Sequence, residues 1–149
     1  CKNHGITSYR GTEKSFIYES SKGSKQSLFK RGLRLIDAYI NITGHNCYNV
    51  DIIKQSFPYN IPSSRLLRPY SKKLRYLERL KLSRIKNGMT IAAKNNLVYH
   101  LWWHPHNFGR NCKENMILLE SILEHYNYLH NKYYFQSMTM SDLSKELNT

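Results

Sequence analysis

The sequence has 149 residues and a mass of 17.7 kDa, which suits one ordinary domain or a part of a larger one. This length excludes a complete eight-stranded α/β barrel, which typically needs roughly 200 to 250 residues. Hydrophobic residues make up 40% of the chain and aromatic residues 13%, so wholesale disorder is not expected. The longest apolar runs are only a few residues, which is too short for a membrane-spanning helix.

Positive charge dominates the chain, with 23 Lys and Arg residues against 10 Asp and Glu residues and a formal net charge of +13. Such an excess predicts attraction to polyanions, either nucleic acid or an acidic membrane surface. The densest basic stretch also has apolar residues at helical spacing, so a solvated helix face is the alternative interpretation. Its basic residues are Lys72, Lys73, Arg75, Arg79, Lys81, Arg84 and Lys86.

Three cysteines, Cys1, Cys47 and Cys112, are an odd number without short spacings. This pattern excludes a disulfide framework and a four-cysteine zinc site. The chain begins at Cys1 rather than at Met, and it has no charged-then-apolar leader. We therefore expect that part of the protein precedes this sequence.

The first third of the chain predicts one strand and one helix. Residues 4–11 alternate weakly and end at a glycine, which is typical of a short strand that carries Arg10 towards a loop. Residues 20–25 form a polar Gly/Ser-rich loop in this interpretation. Apolar positions between 26 and 40 fit an amphipathic helix, and the polar residues 43–46 would end it.

Prolines and a second helical pattern follow. Three prolines between 47 and 69 predict a mostly irregular segment. A helix is expected from Ser71, a good N-cap, and Asn87 and Gly88 are expected to break or kink it before 89–94 resume. The positions expected to be buried on this helix are Leu74, Leu77, Leu82 and Ile85.

The last third predicts a strand over 97–104 that is apolar on both faces, then a helix over 111–131. Asn111 and Glu114 have capping-box spacing, and the helix is expected to bury Met116, Leu119, Leu123, Tyr126 and Leu129. A short strand over 134–138 and a terminal helix, capped by Thr139 and Asp142 and running through Leu147, complete the prediction. This order of strands and helices is typical of the α/β class.

Chemistry-bearing residues concentrate at the end of the predicted strand 97–104. Side chains alternate along a strand, so His100, Trp102 and His104 share one face. Pro105 ends the pairing there, which leaves His104 at the carboxyl end of the strand. Active sites of α/β sheets and barrels form at such ends, and a histidine can act there as a general acid or base.

Other interpretations of this segment stay open. His100, His104 and His106 lie close enough in sequence to bind a metal, but no Asp, Glu or Cys accompanies them at a matching spacing, and no metal ligand is assigned. Trp102 or Trp103 can serve as core. His106 suits a loop residue that hydrogen-bonds to the backbone.

The run His-Leu-Trp-Trp-His-Pro-His-Asn-Phe-Gly resembles the last motif of the polysaccharide deacetylases, the NodB-homology carbohydrate esterases. That motif reads Leu-x-Leu-x-His, so His100 and Trp102 would take the two Leu positions and His104 the final His. The opening Gly-Ile-Thr-Ser-Tyr-Arg-Gly resembles the family's arginine motif, in which Arg10 would orient a carboxylate near the metal. Asp37 would tether that arginine, although its place on an amphipathic helix equally permits a surface residue.

The resemblance implies an α/β fold, namely the C-terminal part of a NodB-like deformed (β/α) barrel that is incomplete in residues 1–149. The family's Thr-Phe-Asp-Asp-like and His-x-x-x-His-like motifs, which hold the base and the metal ligands, are not found in this sequence. A divalent metal, zinc above all, would therefore be held mostly by ligands outside this chain. The chain is interpreted as a single partial domain.

The implied activity is metal-dependent removal of N- or O-acetyl groups from a carbohydrate by the full-length protein, with His104 as general acid. Arg10 and Asp37 would support the catalytic carboxylate, and His100 and Trp102 would contact the substrate. We expect this chain alone to be inactive. Two alternatives are a basic module that binds nucleic acid or an anionic surface, motivated by the net charge, and a degenerate fragment without activity.

Overall fold

Two small parallel sheets meet on one segment of chain. The computed structural model describes residues 4–13, 15, 17–18 and 28–148. Strand β1 (Ser8–Gly11) pairs in parallel with β2 (Tyr59–Pro62), and β3 (Arg65–Leu66) pairs in parallel with β4 (Leu101–Trp102). Because β2 and β3 are nearly continuous, one stretch of chain holds β1 through its first part and β4 through its second.

Ser63 and Ser64 join the two sheets. The Ser63 N–H donates to the Gly11 carbonyl at 3.0 Å, and the Ser64 N–H donates to the His100 carbonyl at 2.9 Å. The Ser64 hydroxyl in turn accepts from the His100 N–H at 2.9 Å. The prediction of a mostly irregular segment over 47–69 is therefore wrong. The prolines of this segment are compatible with strands. Pro62 is the last residue of β2, where the absence of a backbone N–H costs the sheet the least stability.

Helices surround this layer. They are α1 (Leu28–Asp37), α2 (Val50–Lys54), α3 (Glu78–Lys94), α4 (Cys112–Tyr133) and α5 (Met140–Leu147), with 3-10 turns over Lys72–Leu77 and Pro105–Phe108. The predicted loop over 20–25 lies outside the described residues. Among the helices that the structure describes, none is both long enough and apolar enough to cross a membrane.

The predicted break at Gly88 is wrong, because α3 passes through this residue without interruption. A Cβ atom at position 88 would lie 2.6 Å from Cε2 of Tyr99. The glycine therefore makes room for the Tyr99 ring rather than ending the helix. A glycine inside a helix costs about 1 kcal/mol relative to alanine, and close packing of an aromatic ring offsets such a cost.

The C-terminal predictions have mixed outcomes. Of the strand predicted over 97–104, the structure contains only β4 and an isolated antiparallel bridge between Tyr48 and Val98. The strand predicted over 134–138 is not formed. The capping box at Asn111 is wrong, because this residue has a positive φ of 58° and its amide donates to the Tyr70 carbonyl. The capping box of Thr139 with Asp142 is confirmed.

The main core lies between α3, α4 and the carboxyl end of β3. Its buried members are Leu67, Ile85, Met89, Phe108, Leu118, Ile122 and Leu129. The predicted face of α4 is confirmed at Leu129, which is buried, and at Leu119 and Tyr126, which pack against the core. It is wrong at Met116 and Leu123, which are each 52% exposed, whereas Leu118 and Ile122 are buried instead. A second cluster, of Ile53, Tyr59, Ile61 and Leu147, packs α5 against β2.

Candidate active site

Trp102 brings the two principal predicted site residues together. His104 is exposed immediately beyond β4, and its ring meets the Trp102 ring edge-on with centroids 5.1 Å apart. The Arg10 guanidinium carbon lies 3.7 Å from the centroid of the same tryptophan. Such a stacked cation is attracted by the electrons of the ring face. We call Arg10, Trp102 and His104 the rim cluster.

The strand alternation that predicted this arrangement is visible in the contacts. Leu101 packs against the main core, and the Trp103 ring lies 6.1 Å from the Phe108 ring. Trp102 instead contacts both His104 and Arg10. Contacts along these four residues therefore alternate with the backbone period of two, although Trp103 is itself 38% exposed and Nε1 of Trp102 is buried.

His100 is half-buried beside the rim cluster, and its backbone N–H is held by the Ser64 hydroxyl. Burial lowers the pKa of His100, and the positive charge of Arg10 lowers it further, against hydrogen bonding to the backbone of Ile61 and Pro62. The imidazole is thus favoured in its neutral form. Within the described structure, Nδ1 of His100 and Nε1 of Trp102 are buried without a hydrogen-bond partner.

Asp37 is fully buried, which excludes the surface position that the sequence permitted. Its carboxylate accepts hydrogen bonds from Arg65 Nη1 at 2.7 Å, Arg84 Nη2 at 2.9 Å and the Tyr18 hydroxyl at 3.0 Å. Burial alone would raise the pKa of Asp37, but the hydrogen bonds and charges of the two arginines lower it to about 2. The predicted pairing with Arg10 is not formed, because Arg65 and Arg84 occupy this carboxylate.

Glu13, shortly after β1, is a second buried carboxyl group in this region and is only 5% exposed. Its Oε2 lies 4.0 Å from Arg65 Nη1 and accepts a 3.5 Å hydrogen bond from the Asn46 amide. Burial raises the pKa of Glu13 to about 7, against the opposing attraction of Arg65. The Glu13 carboxyl group therefore changes between its neutral and its charged form near neutral pH.

Sequence reasoning missed Glu13, Arg65 and Arg84 as members of this network. An acidic residue directly after a strand that carries the arginine motif was a usable signal for Glu13. Arg84 was assigned to a solvated helix face, yet it is only 5% exposed, and Lys81 on the same helix is 2% exposed. The solvated-face interpretation is right for Lys72, Lys73, Arg75 and Arg79, which are exposed.

We expect Glu13 to make the stability of the protein fall with rising pH. Its pKa is about 7 in the folded chain against 4.5 for an unperturbed glutamate, so the folded state binds the proton more tightly than the unfolded state does. This stabilisation is complete below pH 4.5 and is lost as the pH rises through about 7, a loss of ~3 kcal/mol in the free energy of unfolding. Urea unfolding at several pH values measures it.

The variant Glu13→Gln should remove this slope, and above pH 7 it should be more stable than the wild type. Glu124→Gln, on the exposed surface of α4, is the matched control and should keep the wild-type slope. An unchanged fall in the Glu13→Gln variant would contradict the assignment.

A catalytic zinc centre needs about three protein ligands and an open position. The rings of His104 and His106 lie 5.3 Å apart, but the described part of the chain contains no group of three His, Cys, Asp or Glu side chains that suits a metal ion. These residues do not fit a complete metal centre. The roles that we propose for these side chains therefore involve no bond to a metal ion.

No family model matches the chain, and neither a curated protein nor a solved structure matches it.

Proposed function

We propose that this chain is the C-terminal part of a NodB-like carbohydrate deacetylase domain, and that the full-length protein hydrolyses N- or O-acetyl groups with His104 as general acid. One observation carries the proposal. The exposed His104 lies just beyond the carboxyl end of a parallel strand and contacts Trp102, and Arg10, from a strand of the other sheet, lies on the same tryptophan ring. The sequence motif around His104 supports the same activity.

Hydrolysis of an N-acetyl group requires a proton donor that is accessible to a substrate in solution. The amine that leaves an N-acetyl group is a poor leaving group unless it is protonated, and an imidazolium can supply that proton. His104 is exposed, and the edge-on contact with Trp102 restricts where its ring can lie. The side chain is therefore both accessible and oriented.

Arg10 would contribute charge rather than a proton. An arginine side chain offers a planar cation, and the stack on Trp102 restricts where this guanidinium lies. Such a group suits a carboxylate or an oxyanion that develops during acyl transfer. Because Arg10 covers one face of Trp102, this ring supports the site rather than offering an open surface on which a sugar could stack.

The remaining predicted residues take supporting roles in this proposal. Substrate contacts are assigned to His100 and Trp102, whose Nδ1 and Nε1 atoms are buried in the described structure, so these contacts would be made by other atoms of the two side chains. Asp37 acts at a distance, by linking Arg65 of β3 to Arg84 of α3. The resemblance also implies a divalent metal, whose site the described residues do not supply.

Acetate release from N-acetylated chitooligosaccharides and O-acetylated xylan tests the proposal on the full-length product of the reading frame. We expect acetate from at least one substrate class, and none from residues 1–149 alone. Absence of acetate from every substrate, together with tight and steeply salt-dependent binding of single-stranded DNA, would replace it with the basic nucleic-acid-binding alternative.

A further inference from the structure

A cavity of about 400 Å³ lies between the segment that follows β3 and the start of α4. Its lining residues are Tyr70, Ser71, Lys72, Lys73, Arg110 and Asn111. Three of these six carry a positive charge, and all three charged side chains are exposed. In the part of the chain that the structure describes, no carboxylate forms an ion pair with any of them. The cavity therefore concentrates positive charge, and a carboxylate next to its lining, that of Glu78, accepts a 3.4 Å hydrogen bond from the Ser71 N–H and pairs with Lys81.

The two walls of this cavity are tied together by Asn115, which is fully buried. Its amide oxygen accepts from the Tyr70 N–H at 2.6 Å, and its amide nitrogen donates to the Arg110 carbonyl at 2.9 Å. Asn111 adds a bond of 3.4 Å from its amide to the Tyr70 carbonyl. Both backbone segments are thus fixed relative to each other before any ligand arrives, which reduces the entropy lost on binding.

We propose that this cavity binds the terminal phosphate of a small ligand. A phosphate monoester carries ~1.5 to 2 negative charges at pH 7 and three acceptor oxygens, which match several cations around one small space. Ser71 and Tyr70, which also line the cavity, are residue types whose hydroxyl groups can donate hydrogen bonds. The planar Arg110 guanidinium suits two phosphate oxygens at once, while the lysines act as point charges.

The geometry favours a compact dianion over a nucleic-acid strand. Each phosphate of a nucleic-acid backbone carries a single charge, and proteins match it with cations spread along a groove. Here three basic residues from two segments line one cavity. Other exposed lysines, such as Lys54 on α2 and Lys94 at the far end of α3, do not line it.

Inorganic phosphate is the probe for this site, titrated into the protein at constant ionic strength and followed by calorimetry and by NMR shifts. We expect saturable binding with one phosphate per chain. Lys73→Gln combined with Arg110→Gln should weaken it at least tenfold. The control, Lys54→Gln combined with Lys94→Gln, removes the same charge from other surfaces and should leave the affinity within twofold. Circular dichroism should show that both variants are folded.

Two outcomes would overturn the proposal. One is the absence of saturable phosphate binding. This outcome includes the case in which the protein binds single-stranded DNA instead and that binding depends on Lys73 and Arg110. The other is an equal loss of affinity in both double variants, which would mean a diffuse electrostatic effect. Lys73→Arg keeps the charge and should retain binding. The titration requires no acetyl hydrolysis, so its failure is distinct from a failure of the proposed function.

Discussion

Replacing His104 with glutamine should lower kcat for acetate release from an N-acetylated substrate by about 10²- to 10⁴-fold. Glutamine keeps a polar side chain beside Trp102 but cannot deliver a proton to the departing amine. Substrate binding does not depend on that proton, so KM should change little. Initial rates of the full-length protein measure both parameters.

His106→Gln is the matched control, because this second exposed imidazole lies 5.3 Å from His104 in ring centroids. It should retain most of the activity. An aryl acetate ester provides a sharper comparison, since its leaving group departs without protonation and the His104→Gln variant should hydrolyse it at nearly the wild-type rate. A full rate with the N-acetyl substrate, or an equal loss in the His106→Gln variant, would remove His104 as the general acid.

Replacing Asp37 with alanine should lower the free energy of unfolding by about 3–5 kcal/mol, because it leaves two arginines buried without their carboxylate. Arg65 and Arg84 are almost fully buried and cannot recover their hydration without local unfolding. Chemical denaturation monitored by tryptophan fluorescence measures the change. A loss of this size is a large fraction of the stability of an ordinary domain.

Asp51→Ala provides the comparison for this variant, since Asp51 is exposed on α2 and should change stability by no more than about 0.5 kcal/mol. Asp37 also makes the stability of the protein fall at acid pH. Its pKa falls from 3.8 to about 2 on folding, so its contribution is present above pH 3.8 and is lost as the pH falls to about 2. A loss below 1 kcal/mol for Asp37→Ala would contradict the buried network.

Local signals were sufficient for some elements. The capping box of Thr139 with Asp142 starts α5 because both hydrogen bonds join residues three apart. The alternation along residues 101–104 likewise separates Trp102 and His104 from Leu101 and Trp103, since a strand's period of two is a property of the backbone. These features need no information from distant parts of the chain.

Where glycine or proline predicted an interruption of a helix or strand, tertiary packing decided whether the element continued. Gly88 and the prolines of the segment before Arg65 predicted interruptions, whereas the structure contains a continuous helix and a shared strand. In each case a partner from elsewhere decides the outcome. The Tyr99 ring uses the space at Gly88, and β1 and β4 supply hydrogen bonds to the strand segment.

The position of His104 at the end of a strand and the capped terminal helix could be read from the sequence, because both depend on residues that are neighbours in the chain. The arginine partners of Asp37, by contrast, come from 28 and 47 residues away and depend on the fold of the whole domain. Burial of a charge requires a counter-charge in space, and no local pattern specifies which distant side chain provides it.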